Sequence, residues 1–189
     1  MLRALLHATS RLSRIPVASV QSSAAHTTMS TQSAPLTVSS LTYLSHNDVR
    51  SLLLSETEKP KVAIIDVRDN DYIGGHIAGC THVPINQLDA RLPELLRQNK
   101  DKDKVVFHCM LSQQRGPRAA LMYARAKTRE EEKENDGAEM EEGEGDATGK
   151  KQEICVLEGG FGQWQARYGT DKRLTEGYVK DIWDNEVGF

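Results

Sequence analysis

Residues 36–169 predict an α/β fold with a parallel central sheet and helices on both faces. Three observations predict it. Val62-Ala63-Ile64-Ile65, Val105-Val106-Phe107 and Ile154-Cys155-Val156-Leu157 are short, unbroken apolar runs, the pattern of strands buried on both faces. Segments with helical spacing separate them, and strands joined by helices return parallel to one another. A length of 189 residues suits one domain with extensions.

The elements follow in order. Leu36-Thr37-Val38 reads as a short edge strand. Ser45 is placed to cap a helix running through Val49, Leu52 and Leu53. The run from Val62 ends at Asp66, and Thr81-His82-Val83 is a further short strand stopped by Pro84. Residues 87–97 set Leu88, Leu92, Leu95 and Leu96 on one side of a helix. After Val105-Val106-Phe107 comes an alanine-rich helix over residues 117–128, then the strand from Ile154, then a helix over residues 161–168. In such folds ligands bind beyond the carboxyl ends of the strands, so the loop after Phe107 is the first place to look for a site.

Three stretches fall outside this pattern. Residues 1–30 carry Arg3, Arg11 and Arg14, many Ser and Ala, and no acid. This is the composition of a mitochondrial transit peptide, or else of a disordered leader with Met29 as an alternative start. Without the leader's address the expected compartment is the cytoplasm or nucleus. Residues 129–151 are highly charged and nearly free of apolar side chains, so they read as a disordered acidic insertion, with docking of a basic partner as the functional alternative. Residues 170–189 are polar and read as a C-terminal tail or, with Leu174, Tyr178 and Ile182 spaced four apart, as a docking helix covering the core.

Composition narrows the function. Residues 130–146 hold ten acidic side chains and one lysine, so the net charge of −3 hides a mildly basic body suited to an anionic ligand. Nothing points to nucleic acid, and no run of 18 apolar residues offers a membrane span. Cys80, Cys109 and Cys155 are too few and too scattered for a disulfide framework, which favours a reducing compartment. No Cys/His cluster has zinc spacing, so no metal is expected.

The chemistry sits in VVFHCMLSQQRGPRAA, residues 105–120. A buried strand delivers Cys109 to the carboxyl edge of the sheet, Arg115 follows six residues later, and Gly116-Pro117 opens a helix. Strand, short loop and helix N-terminus together form an anion cradle, with loop amides pointing inward and the helix dipole adding positive potential. The same field stabilises the Cys109 thiolate. Arg115 offers a planar fork to two oxygens of a tetrahedral oxyanion. The amides of Met110, Leu111, Ser112, Gln113 and Gln114 complete the binding set, and the Ser112 hydroxyl is placed to hydrogen-bond the sulfur.

With these residues in view, the chain resembles the rhodanese-fold phosphatases. These are the M-phase inducer phosphatases, their small fungal and plant relatives, and the yeast-type arsenate reductases. The matching pieces are Asp66-Val67-Arg68, the stretch from Tyr72 to Gly79, His82-Val83-Pro84, the stretch from His108 to Pro117, and Leu157-Glu158-Gly159-Gly160-Phe161 with Trp164. The resemblance implies a rhodanese-like sheet over residues 36–169, Cys109 as nucleophile, and Arg115 with the loop amides as oxyanion binders. In this family sulfurtransferases use a six-residue active loop, whereas the phosphatase and arsenate reductase branch uses seven. Cys109 through Arg115 is seven. The chain also departs from its relatives. The M-phase inducers have a protective cysteine where Val67 stands, and a glutamate within the loop where Gln113 and Gln114 stand. The small plant relatives carry a C-terminal zinc cluster, and residues 170–189 hold no Cys or His.

By the resemblance, His76 and His82 belong to structural turns. His108 precedes the nucleophile in its strand and so should point to the opposite face. Asp66 and Arg68 read as a fold-supporting pair, and Cys80 and Cys155 as buried packing residues. No general acid is identifiable.

The leading expectation is a cysteine-dependent phosphatase of the protein tyrosine or dual-specificity type. It would work through a phosphocysteine, without a cofactor, on a phosphoprotein or small oxyanion. The alternative is an arsenate reductase using glutathione or glutaredoxin as reductant. A thiosulfate sulfurtransferase and a non-enzymatic binding module rank lower, the first because of loop length and the second because Cys109 and Arg115 are both present.

Overall fold

The computed structural model describes residues 36–137 and 151–184, with side chains placed through residue 133 in the first segment. Residues 1–30, and with them the expected leader, lie outside the described residues.

Five strands form one parallel sheet in the order β1-β6-β5-β2-β4. They are β1 (Thr42–Leu44), β2 (Val62–Asp66), β4 (Thr81–His82), β5 (Lys104–His108) and β6 (Glu153–Leu157). A two-stranded antiparallel ribbon joins β3 (His76–Ile77) to β7 (Thr175–Glu176). The helices are α1 (His46–Leu54), α2 (Leu88–Gln98), α3 (Arg115–Gly137), α4 (Gly160–Tyr168) and α5 (Lys180–Asp184).

Alternation along the strands explains the layering. Val105, Phe107 and Cys109 face α2 and α3, where they meet Leu88, Leu92, Leu95, Leu96, Ala119, Ala120 and Tyr123. Val106 faces the other way, into a core with Cys155 and Leu157 of β6, Val49 and Leu53 of α1, and Phe161 and Trp164 of α4. The sheet therefore buries both faces, as unbroken apolar strands require. Ser45 caps α1 as its position predicts: the Asp48 amide donates to its hydroxyl oxygen at 3.2 Å.

Three local expectations fail, each for a physical reason. Residues 36–38 are not a strand. Thr37 and Ser40 close a turn through their own backbone and side chains, with Thr37 N–H donating to Ser40 Oγ and Ser40 Oγ–H to Thr37 O. The edge strand begins instead at Thr42. Residues 129–137 are helical, because α3 runs on through Arg129, four glutamates and Lys133, all good helix formers. The rest of the expected insertion, 138–150, lies outside the described residues. Leu174, Tyr178 and Ile182 do not share a helix. Leu174 is fully buried ahead of β7, and only Ile182 belongs to α5. α5 is tied down by Trp183, whose indole N–H donates to Gly74 O at 2.9 Å.

His108 is wholly buried on the face away from Cys109. Its Nδ1 lies 3.2 Å from Cys109 O and its Nε2 lies 3.6 Å from Asp66 Oδ2. Burial pushes its pKa below the ordinary value of 6.5, outweighing the Asp66 carboxylate. The unfolded chain protonates this ring as pH falls through about 6.5 and the folded chain resists, so the neutral ring's contribution is complete above that pH and lost below it. Wild-type protein is expected to lose more melting temperature between about pH 7.5 and 5.5 than His108→Asn, compared by calorimetry. Equal losses would contradict the assignment.

Candidate active site

Cys109 follows directly on β5 and is 3 % exposed, at the floor of the loop that runs to Arg115, the first residue of α3. Ser112 turns the loop back with a positive φ of 54°. Its backbone N–H donates to Cys109 Sγ at 3.2 Å. The sulfur is thus held by a main-chain donor rather than by the Ser112 hydroxyl, which is buried with no partner among the described residues. Gly116 lets the start of α3 come close, since a Cβ there would stand 3.2 Å from Ser112 Oγ and 3.4 Å from Cys109 N.

α4 braces the loop from another side. Phe161 N–H donates to Cys109 O at 2.9 Å, and Gly162 N–H donates to Met110 O at 2.8 Å. These bonds tie the first two loop carbonyls to the α4 side. Gly160 makes the approach feasible: its φ is +59°, and a Cβ would meet the carbonyl oxygens of Cys109 and Met110 at 2.5 Å.

The resulting cavity, about 350 Å³, is lined by Asp71, Cys109, Met110, Leu111, Gln113, Gln114 and Arg115. Six of these are residues the sequence analysis selected. Ser112 is the exception: it serves the site through its amide from beneath. The volume falls in the range of organic-ligand sites, roughly 300–1,000 Å³. Leu111 exposes 39 % of its surface and gives the cavity an apolar lip.

Asp69 and Asp71 are partners of Arg115 in the candidate site that the sequence alone did not single out. They follow β2, the neighbour of β5 in the sheet. Arg115 Nη1 donates to Asp71 Oδ1 at 2.7 Å and to Asp69 Oδ2 at 3.2 Å, while Nη2 donates to Asp71 Oδ2 at 2.5 Å. The hydrogen bond to Arg115 holds the Asp71 carboxyl below its ordinary pKa, and the same bond pushes the Arg115 guanidinium further up. A signal was available: both carboxylates follow the carboxyl end of a strand beside the one that carries Cys109, where the fold gathers ligand-binding residues.

Behind this loop lies Arg68, fully buried. Its Nε donates to both Asp66 oxygens at 3.1 and 2.9 Å, its Nη2 to Gly75 O at 2.8 Å, and its Nη1 reaches Asp71 O and Ile73 O at 3.4 Å each. The guanidinium also lies over the Tyr72 and Phe161 rings at 4.7 and 4.1 Å. Burial works against the Asp66 carboxylate, but the hydrogen bonds and charge of the Arg68 guanidinium prevail and hold its pKa down. His82 Nε2 lies 2.8 Å from Arg68 O, and His76 pairs with Glu176 at 3.2 Å.

Cys155 belongs to the core on the far face of the sheet, and Cys80 packs against that core. Burial pushes both thiols up to about 12, so neither is ionised at neutral pH. Among the described residues no group of His, Cys, Asp and Glu is arranged to hold a metal ion, and no helix is long and apolar enough to cross a membrane.

A family model described as a Rhodanese-like domain matches residues 49–167. The chain is 38 % identical over 131 residues to the CDC25-like phosphatase YCH1 of Saccharomyces cerevisiae, spanning 64 % of this chain and 76 % of that one. It is 40 % identical over 123 residues to arsenate reductase 2.1 of Oryza sativa subsp. japonica, spanning 65 % and 68 %. The solved structure of Ygr203w, a yeast protein tyrosine phosphatase of the Rhodanese family, covers 76 % of this chain and 96 % of its own, with a TM-score of 0.56 and 30 % identity.

The α4 contact gives a test. Gly160→Ala places a methyl group against two carbonyl oxygens in a left-handed conformation, so it should cost about 2 kcal/mol or more of stability. It should also slow alkylation of Cys109 by iodoacetamide, as the loop can no longer keep its amide on the sulfur. A variant with unchanged melting and alkylation would show that α4 does not shape the loop.

Proposed function

The chain belongs to the rhodanese-like domain family, and from that membership we propose that it is a cysteine-dependent phosphatase of the protein tyrosine or dual-specificity type. The observation that carries the reading is the seven-residue loop from Cys109 to Arg115, with an amide on the sulfur and both residues lining one cavity.

The Cys109 thiolate attacks phosphorus in line, forming the S–P bond as the bond to the leaving oxygen breaks. Charge on the equatorial oxygens falls to Arg115 and the loop amides to stabilise. Water then hydrolyses the phosphocysteine and releases inorganic phosphate. Asp71 is the carboxylate in the cavity, but it is bonded to Arg115 and its pKa is lowered, so it holds no proton to give at neutral pH. Leaving groups that carry negative charge unaided, such as phenolates, fit that site best. The cavity volume and the Leu111 lip leave room for an aryl group beside the oxyanion.

Arsenate reduction is the second reading, favoured by the 40 % identity to a rice protein named arsenate reductase. Here the thiolate attacks arsenate and external thiols supply the two electrons that yield arsenite. Since Cys80 and Cys155 lie with the opposite core, that reductant is glutathione or glutaredoxin rather than a second cysteine of the chain.

Parallel assays decide among the readings: p-nitrophenyl phosphate hydrolysis, arsenate reduction coupled to glutathione and NADPH, and thiocyanate formation from thiosulfate and cyanide. Hydrolysis of the aryl phosphate should dominate and fall roughly a thousandfold or more in Cys109→Ser. Arg115→Lys keeps the charge but loses the fork, and should cost about a hundredfold in kcat/KM. Aryl phosphate turnover that ignores Cys109→Ser, or thiocyanate formation as the leading rate, would overturn the proposal.

A further inference from the structure

Arg115 has five N–H donors, and three are already engaged. The two that point away from the chain, one on each terminal nitrogen, form a fork on the two oxygens of Asp71. The second N–H of Nη1 goes to Asp69. Nε–H and the second N–H of Nη2 have no acceptor among the described residues. These two lie along one edge of the guanidinium with the spacing that matches two oxygens of a tetrahedral anion.

We propose that Asp71, assisted by Asp69, is a positioning residue that clamps the far end of Arg115 and leaves its Nε/Nη2 edge for the substrate oxyanion. The proposal rests on Arg115 being the oxyanion binder of the reading above. An arginine side chain has several rotatable bonds, and holding it still before the substrate arrives lowers the entropy cost of binding.

The clamp itself is held from behind. Asp69 N–H donates to Asp71 Oδ1 at 3.0 Å, and Tyr72 N–H donates to Asp69 O at 3.1 Å, so residues 69–72 form a closed turn. Arg68 reaches the carbonyls of Asp71, Ile73 and Gly75 from the core while its other side is fixed on Asp66. A rigid path therefore runs from β2 through Arg68 and the turn to Asp71, and from there to Arg115. The fold-supporting pair and the oxyanion binder are two ends of one arrangement.

The geometry also sets up a competing effect of opposite sign. Two carboxylates beside an anion site repel the anion, so if Asp71 merely occupied the fork as a plug, neutralising it would tighten oxyanion binding. Asp71→Asn separates the two cases, because it keeps the shape and removes the charge and the symmetric pair of acceptors. Affinity for inorganic phosphate, read by titration calorimetry, needs no turnover.

Asp71→Asn should weaken phosphate binding about tenfold, with Asp69→Asn weakening it less and Asp71→Glu restoring part of the loss. In an Arg115→Met background the effect of Asp71→Asn should vanish, since the carboxylate acts only through the guanidinium. Tighter binding by Asp71→Asn would make the carboxylate a plug and overturn the proposal. A loss of the same size without Arg115 would make it merely structural, and wild-type protein that binds no phosphate would overturn it as well. Failure of the phosphatase reading alone shows differently: wild-type protein would bind phosphate and obey the cycle while p-nitrophenyl phosphate goes unhydrolysed.

Discussion

Two main-chain hydrogen bonds from the first turn of α4 decide which way the active loop faces. They engage the carbonyls of Cys109 and Met110, and the loop can then turn through Ser112 to put an amide on the sulfur. Both carbonyls are thereby paired with α4 donors. The constraint falls on residues far from the loop in sequence. Gly160 must lack a side chain, and Phe161 must be anchored in the core for its amide to point where it does.

Charge in this site is arranged rather than merely present. Arg68 is sealed in the fold and neutralised by Asp66, so it serves as a rigid bracket for the segment between β2 and β3. A buried ion pair of this kind is a weak source of net stability, but removing one partner would leave the other charge exposed to the core. Its use here is geometric. Arg115 is only partly buried and lines the cavity that also contains Cys109.

Much of this was legible beforehand, and what was not has particular causes. Strands β2, β5 and β6 announced themselves because a strand buried on both faces must be apolar throughout. The placing of His108 followed from the two-residue period of the strand that carries Cys109. The acidic stretch misled: glutamate and lysine are poor at making a core yet good at prolonging a helix already nucleated by packing, and α3 continues to Gly137. Thr37 looked like strand because its turn depends on a side-chain bond to Ser40 that composition does not reveal. Asp69 and Asp71 carry no local motif, because their partner Arg115 is 46 and 44 residues away and meets them only when β2 and β5 lie side by side.

Rapid quenching of a reaction with aryl phosphate, followed by peptide mass spectrometry, tests the central claim most directly. The account predicts a phosphoryl group on the peptide containing Cys109, formed before steady state and absent from Cys109→Ser. Steady turnover with no such adduct, or an adduct on a peptide that does not contain Cys109, would contradict it.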